Sequence, residues 1–137
     1  MRLKIFFSLV LLLGLTEFAH AKPGLCYEIV GSEIMFLKQV TLAYPAQAVC
    51  LGEVKGWGGI YKTVTLWREN KVVGAFAAEE IKGKCWNSNC NTYVLRSGHV
   101  ADVGNVSKEV SGTAFSFNEA KWELRVDGQT HQISRTK

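Results

Sequence analysis

A chain of 137 residues with 16 Lys plus Arg against 12 Asp plus Glu carries a formal charge of +4. Its basic residues are scattered singly, which excludes the clustered cationic face of a dedicated nucleic-acid binder. The length suits one domain with a modest core, and no repeat, Pro-rich linker or low-complexity tract divides it.

The first segment reads as an export signal. Arg2 and Lys4 precede an apolar run from Ile5 to Leu15, and Ala19-His20-Ala21 places small residues where a signal peptidase reads. That run is too short to span a bilayer. The expected organisation is a signal peptide over 1–21 and a single β-rich domain over 22–137, periplasmic or secreted, with no membrane insertion after cleavage. No Cys stands at the cleavage point, so no lipid anchor is indicated. Removing two cations and one carboxylate with the signal leaves a net charge of about +3.

All four cysteines, Cys26, Cys50, Cys85 and Cys90, fall after the signal. An even number in an exported chain predicts disulfides, and three connectivities are open. Pairing of sequence neighbours, Cys26 with Cys50 and Cys85 with Cys90, is favoured. A zinc site is the rival reading of Cys85 and Cys90, but Cys26 and Cys50 lack a knuckle spacing, so no metal is expected.

Strand patterns then dominate in chain order. Ile34 to Ala43 reads as one strand with Ile34, Phe36, Val40 and Leu42 on a face that Lys38 interrupts. Ile60 to Arg68 places Tyr61, Thr63, Thr65 and Trp67 on one face, with Ile60, Val64 and Leu66 on the other. Glu69-Asn70 is turn material, and Lys71 to Ala78 completes a hairpin over 60–78. Ala75 to Lys82 is the best helical candidate, as a single turn. Thr92–Arg96, Val100–Val103 and Val106–Phe117 follow as strands, the last with Gly112 marking a bulge or a close backbone approach. Lys121–Val126 and Gln129–Ser134 flank Asp127-Gly128, a pair that suits a tight type I′ turn. Its register pairs Val126 with Gln129 and Leu124 with His131, and collects Trp122, Leu124, Val126 and Ile133 on one face. The fold class is all-β, a small antiparallel barrel or sandwich stapled by two disulfides.

Residues able to carry chemistry are few. His99 follows Ser97-Gly98 in an expected loop, and His131 falls on the apolar face opposite Leu124. Glu79 and Glu80 are adjacent and therefore diverge in a strand, which unfits them as an acid/base pair and suggests a solvated edge. No G-x-S-x-G elbow or phosphate-cradling loop occurs, so neither an enzyme nor a cofactor is expected. Two loops have the composition of recognition surfaces. Gly56-Trp57-Gly58-Gly59 predicts a tight turn presenting Trp57. Cys85 to Cys90, closed by a disulfide, would present Trp86, Asn87, Ser88 and Asn89, either to a partner or as a structural turn whose Trp86 caps the core. Asn105-Val106-Ser107 is a glycosylation acceptor only in a eukaryotic secretory pathway.

Ser111-Gly112-Thr113-Ala114-Phe115, followed by Trp122 and Gly128, resembles the Ser-Gly-x-x-Tyr segment of periplasmic inhibitors of c-type lysozyme. The match covers about 20 residues, with Phe115 at the Tyr position and no Thr-Lys-Gly after it. The resemblance implies a disulfide-stapled β-barrel that inserts a loop into a hydrolase cleft, with Ser111 as a contact and Lys121 or Arg125 near acidic groups. The Cys-x4-Cys loop is similar in spacing to a cysteine-closed loop of another lysozyme-inhibitor family. The expected function is a non-enzymatic protein that inhibits a peptidoglycan hydrolase, either a lysozyme or a peptidoglycan-degrading toxin. The alternatives are a small-ligand or glycan-binding barrel using Trp57, Trp67 and Trp86 as stacking platforms, and a hydrolase using His99 or His131.

Overall fold

A computed structural model describes residues 24–81, 90–103 and 105–135, excluding the side chains of Cys90, Asn105 and Val106. The expected signal, the Cys85–Cys90 disulfide and the Trp86, Asn87, Ser88 and Asn89 loop lie outside the described residues. The described residues form eleven strands and no helix: β1 (Leu25–Ile29), β2 (Ile34–Leu37), β3 (Val40–Ala46), β4 (Ala48–Gly56), β5 (Gly59–Arg68), β6 (Lys71–Ile81), β7 (Cys90–Asp102), β8 (Asn105–Glu109), β9 (Ala114–Asn118), β10 (Glu123–Val126) and β11 (Gln129–Arg135).

Strands β7-β6-β5-β4-β1-β11-β10-β9 pair in that order, and β9 returns to β7, closing an eight-stranded antiparallel barrel. Eight strands leave an interior just wide enough for side chains to fill. Alternation supplies them: Tyr27, Val49, Val64, Leu66, Phe76, Leu95, Phe115, Phe117, Leu124, Val126 and Ile133 share one buried core. The intervening residues face outward. Cys26 and Cys50 are paired directly across β1 and β4, and their disulfide sits on the outer wall with Ala48 and Trp67. The expected Cys26–Cys50 pairing is therefore present, and the Cys26 segment is a barrel strand.

The β2–β3 hairpin closes one end. Ile34, Leu37, Val40, Leu42 and Ala46 join the barrel core. The backbone N–H of Lys38 donates to Asp127 Oδ2 at 2.6 Å, tying this hairpin to the β10–β11 turn. Three expectations change here. The single strand over 34–43 is a hairpin turning at Lys38-Gln39, both left-handed at φ 45° and 69°, and Phe36 is exposed. Ala75–Lys82 contains no helical turn through Ile81, because β6 pairs with β7 as far as Ile81. The expected strands over 92–96 and 100–103 belong to one 13-residue strand, β7, which ends at Asp102 with Val103 in the turn after it.

The expected strand over 106–117 divides because its two halves follow different parts of β7: β8 pairs near its end and β9 near its start. Asp127 and Gly128, at φ 48° and 84°, make the expected tight turn in the expected register. Trp122 departs from the expected face. It is left-handed at φ 54° and 41% exposed, in the turn before β10.

Candidate functional site

β4 and β5 pair from Ala48↔Trp67 down to Gly56↔Gly59. Their outer neighbours stop sooner: β1 accompanies β4 only to Leu51, and β6 accompanies β5 only to Lys62. Residues beyond these points form a two-stranded ribbon projecting past the barrel wall, and every residue over 53–61 is exposed. Its tip is Trp57-Gly58, as the glycine pattern predicts, and Trp57 is 98% exposed. Gly58 and Gly59 have φ of 88° and 139°, a backbone that side-chain-bearing residues rarely adopt.

Val54, Ile60 and Tyr61 surround that tip as further exposed apolar side chains. The Tyr61 hydroxyl donates to the Trp57 carbonyl. Its ring crosses Gly56, where an added Cβ would lie 2.9 Å from a ring carbon. Tyr61 thus braces the turn that holds Trp57 out.

A polar network occupies the barrel mouth at the ribbon's foot. Glu53 and Lys62 are direct cross-strand partners on the inward-facing register, and they form an ion pair. Lys62 Nζ also lies 4.0 Å from Glu80 Oε1, and the Tyr93 hydroxyl donates to Glu80 Oε2 at 3.3 Å. Burial foremost, then the Glu80 carboxylate, pushes the Tyr93 phenol up to about 12. Burial followed by the charge and hydrogen bond of Glu119 pushes Tyr27 higher still. The hydrogen bond to Glu53 foremost raises Lys62. Both tyrosine rings rest on Phe117, Tyr27 stacked at 4.8 Å and Tyr93 edge-on at 5.8 Å. The network therefore joins the ribbon to the barrel wall: Lys62 holds Glu53 within the ribbon and approaches Glu80 on β6.

The sequence-predicted residues do not converge. Ser111 is exposed between β8 and β9, beside Gly112 at φ 77°, with Lys38 Nζ close over that glycine. The antiparallel register puts Ser111 and the Asp127-Gly128 turn at the opposite end from Trp57. The pair Ile81↔Thr92, near which β6 ends and β7 begins, is at the Trp57 end. Trp67 is only 1% exposed and donates from Nε1 to Thr65 Oγ1 at 2.7 Å, so it offers no stacking face. Lys121 and Arg125 are exposed, and Arg125 Nε donates to Thr130 Oγ1 at 3.4 Å.

Both histidines among the described residues have a serine neighbour. Ser107 Oγ lies 3.3 Å from His99 Nδ1, and Ser32 Oγ lies 3.2 Å from His131 Nδ1. Among the described residues no carboxylate hydrogen-bonds either ring, whereas a triad orients its base that way. His99 is exposed on β7, in a strand where the sequence suggested a loop. His131 is buried opposite Leu124, and desolvation lowers its pKa. Glu79 and Glu80 diverge as expected, Glu79 toward Arg96 at 2.9 Å and Glu80 into the mouth network. Glu80 is thus part of a partly buried network and not a solvated edge. Among the described residues no three metal-ligating groups gather.

Sequence reasoning missed Val54, Ile60 and Tyr61 as companions of Trp57. A turn at Trp57-Gly58 would have revealed them, because it also sets Glu53 opposite Lys62. Glu80, Tyr93 and Glu119 carried no local signal. No known protein family, curated protein or solved structure matches the chain.

Proposed function

We propose that the protein is an exported, non-enzymatic binding protein that inhibits a cell-wall hydrolase, a lysozyme or a peptidoglycan-degrading toxin, by inserting the Trp57 ribbon into its cleft. The observation that carries this reading is the near-complete exposure of Trp57 on a braced hairpin standing clear of a closed barrel. An aromatic side chain held out on a preorganised turn loses little conformational freedom on docking, and tryptophan dominates interface hot spots. A two-stranded ribbon is about 5 Å between strand axes, narrow enough for a groove shaped to a single glycan chain. Lys55 is exposed two residues before the tip, where it would meet the paired carboxylates of a glycosidase. The reading needs no chemistry from this chain.

The Trp57 ribbon takes the role that the sequence resemblance would give to Ser111. A platform of three stacking tryptophans, the glycan-binding alternative, loses Trp67 to burial. The test is a peptidoglycan lysis assay with purified c-type lysozyme and a panel of glycosidase and amidase hydrolases. The protein is expected to slow at least one enzyme, and Trp57→Ala is expected to abolish that effect. Failure to slow any of them, or equal inhibition by Trp57→Ala, refutes the proposal.

A further inference from the structure

We infer that the outer corner where β3 crosses the start of β6 is a second binding site, for a small amphipathic organic anion. β3 leaves the end-closing hairpin and packs against β5 and β6 on the way to β4. A recess of about 600 Å³ opens there, within the range of small-molecule sites. Tyr44, 58% exposed, stands at one side, and half-buried Val72, Val73 and Ala101 supply an apolar floor. An aromatic or acyl body laid on this floor buries apolar surface and meets the Tyr44 ring.

The rim fixes the sign of the ligand's charge. Arg68 and Lys71 are its cations and His99 a further nitrogen base, against the carboxylates of Glu69 and Glu33. Glu33 is paired with Arg68, which leaves Lys71 as the cation open to a ligand. Arg68 is anchored, with Nη1 donating to Glu33 Oε2 at 2.6 Å and to the Pro45 carbonyl at 3.0 Å. Lys71 is exposed and makes no ion pair among the described residues, so its ammonium is available to an incoming carboxylate or sulfonate. A neighbouring groove of about 1000 Å³ shares Arg68 but carries Glu28, Glu33 and Glu69, and that lining repels an anion. Charge therefore separates the two recesses. The ribbon with Trp57 lies at the other end of β5, so this site is independent of the inhibitory reading.

The test uses anilinonaphthalene sulfonate as probe, with uncharged phenylnaphthylamine as its charge control, titrated into the oxidised full domain by fluorescence. One saturable site is expected, with the sulfonate binding more tightly than its neutral relative. Tyr44→Ala and Lys71→Glu are each expected to weaken the sulfonate about tenfold, the usual scale for a lost aromatic contact or charge-assisted bond. Both side chains are exposed, and matched circular dichroism and melting temperature verify that the variants fold. To exclude the exposed apolar ribbon as the probe's site, Trp57→Ala is included and is expected to bind the probe as the parent does. Absence of saturable binding, unchanged affinity in both rim variants, equal affinity for the neutral probe, or loss of binding in Trp57→Ala overturns the assignment.

Discussion

Replacing Cys26 and Cys50 together by Ala tests how much of the barrel's stability comes from its outer-wall staple. The bridge closes a loop with sequence separation 24. Chain-entropy arithmetic for that loop gives about 3.5 kcal/mol, acting by restricting the unfolded ensemble. β1 is already held by β4 and β11 in the folded state, so the native ladder survives the substitution. Trimming two buried sulfurs beside Trp67 costs about 1 kcal/mol more in lost packing. The combined loss of about 4.5 kcal/mol is a large share of the 5–15 kcal/mol typical of a domain. It corresponds to a fall of roughly 15–20 °C in melting temperature for a domain near this size. Urea denaturation followed by circular dichroism measures it, and the double variant avoids reductant, which would act on every cysteine. A loss below about 1 kcal/mol, with an unchanged native spectrum, would refute the loop-closure reasoning.

Other outcomes follow from single positions. Gly98→Ala is expected to destabilise by about 3 kcal/mol, since its Cβ would come 2.1 Å from Phe76 Cδ1 and 2.3 Å from the Ala75 carbonyl; a change under about 0.5 kcal/mol in the same assay contradicts the packing. Burial lowers the pKa of His131, so the unfolded chain binds its proton more readily; stability is present above the ordinary histidine value of 6.5 and is lost as pH falls below it. His131→Gln should flatten denaturation midpoints between about pH 7 and 5, and an unchanged slope counts against desolvation. Tyr93 runs the other way. Its raised pKa favours the protonated fold, so stability is present below the ordinary tyrosine value of 10.0 and is lost as pH rises toward about 12, and Tyr93→Phe should reduce that alkaline loss. Ultraviolet titration is expected to show Tyr27 and Tyr93 ionising above the ordinary tyrosine range, and their ionisation near pH 10.0 would contradict their burial.

Fold class was legible because alternation and turn chemistry agreed at several places. Asp127, Gly128 and Asn70 are residues that accept positive φ, and each marked a hairpin turn. Lys38-Gln39 adopts the same kind of turn with residues that carry a conformational penalty there, so the β2–β3 hairpin was hidden inside an apparent strand. β1 and β4 were obscure for another reason. Their outward faces carry cysteines and small residues, because the disulfide and Trp67 cover them, and this blurs the polar-out pattern. Trp57 was readable from its glycines. Glu53 with Lys62 and Glu80 with Tyr93 are cross-strand pairs of neighbouring strands, but Glu119 reaches Tyr27 and Tyr93 only because the barrel closes, so no sequence window contained the whole network.

The most direct test of the central claim is the inhibition constant of the oxidised protein against a hydrolase it slows, compared with that of Trp57→Ala. The account predicts that the variant keeps the parent's melting temperature and loses at least about 2 kcal/mol of binding, a roughly thirtyfold rise in the constant. Equal constants for the two proteins would contradict it.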